Sequence, residues 1–147
     1  MARRRSWLPW HHTAWRVLNA STAPIWLLMV IAPGSRLTAR AVTVAMPLHA
    51  GLGLTYAGLL ATTTLSGGDR VDFSDGESVA RGLSAPEGML AAWTHYLTFD
   101  LFVGTWIWRT AQDEGISARL ALLGTWWFGP VGLTWFQLQR TMSPSRR

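Results

Sequence analysis

Four long apolar stretches, at residues 17–32, 41–65, 89–108 and 120–138, constrain this chain more than any other feature. A bilayer's hydrocarbon core is about 30 Å thick, and a helix needs roughly 20 apolar residues to cross it. The last three stretches meet that length, while the first, softened by Asn19, Ser21, Thr22 and Pro24, is marginal. A buried helix of a soluble protein can be as apolar, but four of them in 147 residues leave almost no polar face for water. The breaks agree. Ala32-Pro33-Gly34 is a strong helix stop, with Arg36 and Arg40 after it, and Ser66-Gly67-Gly68 ends the second stretch. With their flanks the stretches predict spans at 15–33, 41–65, 88–108 and 119–139. Between them lie a surface loop at 66–87, with a short amphipathic helix around 77–83, and a polar hairpin at 109–119. The expected fold class is all-α: an integral membrane four-helix bundle forming one transmembrane domain over 1–147, with both termini on the same side.

Charge sharpens this picture. Only 14% of residues are charged against 49% apolar, and ten tryptophans exclude a disordered chain. The net charge of +5 comes from thirteen arginines without a lysine. Nucleic-acid binding needs such charge gathered on one solvated face. Here it sits at the chain ends and between apolar blocks, so no nucleic-acid partner is expected. With four crossings, Arg3, Arg4, Arg5, Arg16, Arg70, Arg81, Arg140, Arg146 and Arg147 share one side, against Arg36, Arg40, Arg109 and Arg119 on the other. The positive-inside rule then places both termini in the cytoplasm, in a multi-pass protein of the plasma membrane. Trp7, Trp10 and Trp15 fall at the inner interface and Trp106 and Trp108 at the outer one, as an aromatic belt. The arginine triplet invites a twin-arginine export reading, but no small-residue cleavage site follows, and a basic anchor for anionic lipid fits better. Cysteine is absent, which excludes disulfides and thiolate metal sites.

An ionisable group at membrane depth costs roughly 2.5–3.5 kcal/mol on insertion scales, so each one is a functional candidate. Asp100 leads, just past the middle of 89–108, with Tyr96 one turn before it, Gly104 one turn after and Trp93 on the same stripe. In its protonated form a carboxyl there is a suitable proton donor. The alternative is an interhelical hydrogen bond that merely holds the bundle together. His95 lies roughly 140° around the helix from Asp100, on a different face, and reads either as a base or as a histidine bonded to a neighbouring helix. Glu87, just after Pro86, is a third candidate, although its charge also suits a helix N-terminus. His49 lies about 12 Å from the outer end of its span, close to the depth of Asp100, so the two could pair. His49 and His95 differ in depth by roughly 9 Å, which argues against one haem iron between them. No metal and no cofactor are expected. His11 and His12 precede the spans and read as interfacial. Pro47 and Pro130, the latter within Phe128-Gly129-Pro130-Val131-Gly132, break the helical ladder. Trp126 and Trp127 lie just before the second break, and with Trp93, Tyr96 and His49 they form the candidate wall for a long apolar ligand. Ordinary helix packing uses the same residues. No phosphate loop, nucleophile elbow or His-Glu-x-x-His motif occurs.

The run 84–104, with Glu87, Trp93, His95 and Asp100-Leu101-Phe102, resembles the ABA4-like family of small integral membrane proteins, as does Phe128-Gly129-Pro130-Val131-Gly132. Ala32-Pro33, Thr38-Ala39-Arg40 and Pro47 fit the same pattern, so the resemblance covers about 19–140. It carries over Glu87, Trp93, His95, Asp100 and Pro130, but not His49. The family's plant member is linked to neoxanthin formation, the opening of a carotenoid epoxide to an allenic alcohol. The resemblance therefore implies acid–base isomerisation or cyclisation of an epoxidised isoprenoid or carotenoid-like lipid without redox change. In that reading Asp100 is the acid, His95 the base, and Trp93, Trp126 and Trp127 stabilise a carbocation. Two other readings stand beside it: a non-catalytic carotenoid- or lipid-binding protein serving a partner enzyme, and a haem or metal carrier. The partners expected are a hydrophobic isoprenoid-type substrate and the lipid bilayer, with a partner enzyme or a second copy of the chain as further options.

Overall fold

The computed structural model describes residues 6–65 and 71–142, all of whose regular structure is helical. Its elements are α1 (Pro9–Ile31), α2 (Arg36–Leu65), α3 (Gly76–Leu83), α4 (Pro86–Glu114), α5 (Arg119–Phe128) and α6 (Pro130–Met142). Arg3, Arg4, Arg5, Arg70, Arg146, Arg147 and the Ser66-Gly67-Gly68 stop lie outside the described residues. Two helices are long and apolar enough to cross a membrane, Pro9–Ile31 and Arg36–Thr62. Only 28% and 11% of their apolar windows is buried within the fold, whereas the core helix of a soluble protein is mostly buried. Although α4 has 29 residues, it carries Glu87, His95, Asp100, Arg109 and Asp113, and falls below the same apolar threshold.

The chain divides into two compact units, one of residues 1–20 and 50–98, the other of residues 21–49 and 99–147. In the first unit α1 starts earlier than the sequence suggests, because its N-terminus is capped. Pro9 takes the first helical position, where its missing N–H costs nothing. His11 then reaches back, and its Nδ1 accepts the Leu8 N–H at 2.8 Å, as the third residue of a capping box does. The amphipathic helix expected around 77–83 is α3. Asp75 caps it by accepting from the Glu77 and Ser78 amides at 3.0 and 3.2 Å. The first turn of α4 packs on the end of α3 so closely that a Cβ on Gly88 would run into the Gly82 carbonyl.

In the second unit Ser35 starts α2, accepting the Thr38 N–H at 3.0 Å, and the Thr38 hydroxyl donates to the Ala32 carbonyl at 2.6 Å. The core gathers Trp26, Met29, Leu101, Ile107, Leu122 and Phe136. Gly104 admits Trp26: a Cβ there would lie 2.6 Å from the indole Cζ3, so the room beside Asp100's helical neighbour is filled by tryptophan.

The fourth stretch is not one continuous span. At Gly129 (φ 46°) the chain leaves the helix, and Pro130 begins α6 in another direction. The two segments fold back on each other as a helical hairpin. A Cβ on Gly124 would lie 3.0 Å from the Gly132 Cα, so α5 and α6 touch backbone to backbone. At the open end Gln139 Nε2 donates to the Ser117 carbonyl at 2.7 Å, and Arg140 Nε binds Glu114 Oε2 at 2.8 Å. A straight helix would set residues 119 and 139 about 30 Å apart. With 10 and 13 residues, neither half is long enough to cross a bilayer. The expected placement of both termini on one side thus loses its fourth crossing. Pro47 behaves differently from Pro130, since α2 runs through it unbroken.

Candidate functional site

The first unit brings Glu87 to His11. The imidazole is buried (1% exposed), and its Nε2 lies 3.3 Å from Glu87 Oε1. Because Nδ1 already accepts the Leu8 N–H, the ring's proton sits on Nε2 and is donated to the carboxylate. Glu87 Oε2 is buried and has no hydrogen-bond partner. His11, which the sequence placed before the spans, and Glu87, a candidate whose charge also suits a helix N-terminus, are thus in contact. Trp10 lies 3.7 Å from the His11 ring, and Trp7 meets it edge-on at 5.7 Å. One helical turn further along α1, Trp15 stacks on Trp93 at 4.6 Å. The Trp93 indole donates to Asn19 Oδ1 at 3.2 Å. His95 is exposed on α4, with Tyr56 at 5.7 Å and Tyr96 at 6.3 Å between ring centres. Tyr96 is 60% exposed.

The second unit brings Asp100 to the tip of the α5–α6 hairpin. Its carboxyl packs on the Gly129 turn so closely that a Cβ at Gly129 would lie 3.0 Å from Oδ1. Pro130 starts α6 immediately after that turn, so the carboxyl lies where α5 ends and α6 begins. Trp126 stacks parallel to Trp26 at 6.0 Å, and its other neighbour, Trp127, is 72% exposed. Of the three indoles read as wall residues, Trp126 is thus a packing element and Trp127 faces outward. His49 meets Phe102 edge-on at 6.0 Å, and its Nε2 is buried without a hydrogen-bond partner, so no bond through that nitrogen supports the His49–Asp100 pair. Among the described residues, no three His, Asp or Glu side chains lie together as a metal site would need.

Sequence reasoning missed His11, whose partner lies 76 residues away. The signal that could have found it is the Leu8-Pro9-Trp10-His11 order, in which a polar third residue follows Pro at the start of a helix.

Fold and sites define an all-helical protein, with two helices fit to cross a membrane and ionisable side chains set along a third. The chain belongs to the ABA4-like family, whose profile, described as ABA DEFICIENT 4-like, matches residues 13–136. No curated protein and no solved structure matches it. Glu87, Trp93, His95, Asp100 and Pro130 all fall inside the matched region, and His11 falls just before it.

Proposed function

We propose that this ABA4-like chain is a multi-pass membrane protein in which α1, α2 and α4 cross the bilayer and the α5–α6 hairpin re-enters it. In this reading it isomerises an epoxidised isoprenoid or carotenoid-like lipid by proton transfer, without redox change. The observation that carries the reading is the Asp100 carboxyl against the Gly129 turn. Broken helices are tolerated at membrane depth where they are buried in protein or line a cavity, and binding sites form at such breaks. An ionisable side chain held at one is a functional group by default.

The chemistry asked of the site is modest. Asp100 donates a proton to the epoxide oxygen, the carbon–oxygen bond opens, and His95 is the base that takes a proton from carbon. The product is an alcohol isomeric with the substrate, so no electrons enter or leave. Glu87 is a further acid–base group of the same kind. Trp93 offers an aromatic face to positive charge developing on carbon. The outward rings of Tyr96 and Trp127 suit contact with a long apolar chain. His49 and Trp126 support the wall, the latter through its stack on Trp26.

The test uses the purified chain in lipid nanodiscs with a carotenoid epoxide, following the polyene spectrum and the product's mass. Wild type converts the epoxide to an isomer of equal mass. Asp100→Asn lowers the rate by about 100-fold or more, the scale of general acid catalysis. Full turnover by Asp100→Asn, or binding without conversion by the wild type, rejects the isomerase reading.

A further inference from the structure

We infer that His11 is a positioning residue, which fixes the Glu87 carboxyl so that Oε2 serves as the proton-exchanging oxygen toward a hydroxyl or epoxide of the lipid substrate. This rests on the acid–base reading given above. Three observations join here. The His11 ring is 1% exposed, so its orientation is set by packing and not by solvent. The Leu8 N–H holds Nδ1 at 2.8 Å, which leaves Nε2 as the protonated nitrogen and aims it at Glu87 Oε1 at 3.3 Å. That bond occupies one carboxyl oxygen and leaves the other, Oε2, buried with no protein donor. A buried polar atom without a partner is costly, and native proteins keep few without a functional reason.

The arrangement resembles in its logic a buried carboxylate orienting a catalytic histidine, with the roles exchanged: the histidine orients and the carboxyl acts. It also explains why the cap of α1 uses histidine. Glutamate or glutamine at that position could hold the Leu8 amide equally well, but neither would also present a rigid N–H to Glu87.

The experiment is ¹⁵N NMR of histidine-labelled full chain in nanodiscs, with His11 assigned by His11→Gln. The expected state is a pyridine-type Nδ1 and a protonated Nε2. The Nε2–H resonance should move in Glu87→Gln and stay fixed in Glu77→Gln, whose side chain is 90% exposed. A protonated Nδ1, or an Nε2 resonance indifferent to Glu87→Gln, overturns the proposal.

Turnover of the carotenoid epoxide supplies the second readout. His11→Phe should lower kcat roughly tenfold or more with KM little changed, and His11→Gln, which keeps the cap on Leu8 but not the rigid N–H toward Glu87, should show most of the same loss while folding like wild type. A His11→Phe protein that folds and turns over like wild type also overturns it. Loss of the isomerase reading would appear instead as undiminished activity in Asp100→Asn, with the NMR result unaffected.

Discussion

At the scale of single residues, Gly129 is where backbone and chemistry meet. Its φ of 46° is one that L side chains adopt only at a cost of roughly 1–2 kcal/mol. A Cβ would also press on Asp100 Oδ1 at 3.0 Å. Gly129→Ala is therefore expected to lower stability by about 1–2 kcal/mol, measured by thermal unfolding in detergent, and to impair epoxide turnover. Gly115→Ala is the control. It shares the positive φ (65°) but meets nothing within 4 Å, so it should lose stability and keep its activity. Asp100 was legible in the sequence because one carboxylate in an apolar run is conspicuous whatever surrounds it. His11 was not, because its meaning depends on a partner 76 residues away and on a cap that fixes its tautomer.

At the scale of elements, helix placement followed from hydropathy and the Pro-Gly stops, and α3 was foreseen from its amphipathic pattern and acidic start. The fourth stretch was misread because an uninterrupted apolar run cannot report its direction. Gly129-Pro130 in the sequence allows a kink or a full reversal. The glycines at 124 and 132, spaced to let the two backbones touch, decide for reversal. The hairpin's open end is tied to α4 by the ion pair of Arg140 with Glu114, which lies beyond the apolar stretch. The hydrogen bonds from Arg140 hold the Glu114 carboxyl below its ordinary value of 4.5. A depressed folded value means that the pair's contribution is fully present above that ordinary value and fades as pH falls through the lower folded one. Melting in detergent across pH should therefore show Glu114→Gln less stable than wild type near neutrality. The two should converge in acid, and a gap that persists there would assign the effect to packing.

At the scale of the whole molecule, the proposed re-entrant hairpin implies a topology that can be tested. If α1, α2 and α4 cross as proposed, the loop at 71–75 faces one side, while Ser35, Ser117 and Thr141 face the other. Because the chain has no cysteine, single cysteines report without background. Thr141→Cys should label from the same side as Ser35→Cys and Ser117→Cys, and Ser74→Cys from the opposite side. Labelling of Thr141→Cys together with Ser74→Cys would restore a continuous fourth span. The arginine excess that assigned both termini to the cytoplasm depended on that fourth crossing. Without that crossing the arginine count no longer orients the chain.

The sequence by itself determined that the chain is helical and roughly where its long helices run, and it singled out Asp100, His95 and Glu87 as ionisable groups in or beside apolar stretches. Those properties follow from composition and local period, which each segment carries within itself. Only the tertiary structure decided that the last apolar stretch turns back at Gly129, that Asp100 meets that turn, and that His11 holds Glu87. Each of these depends on residues distant in sequence approaching to within a few ångströms, and hydropathy carries no information about such distances.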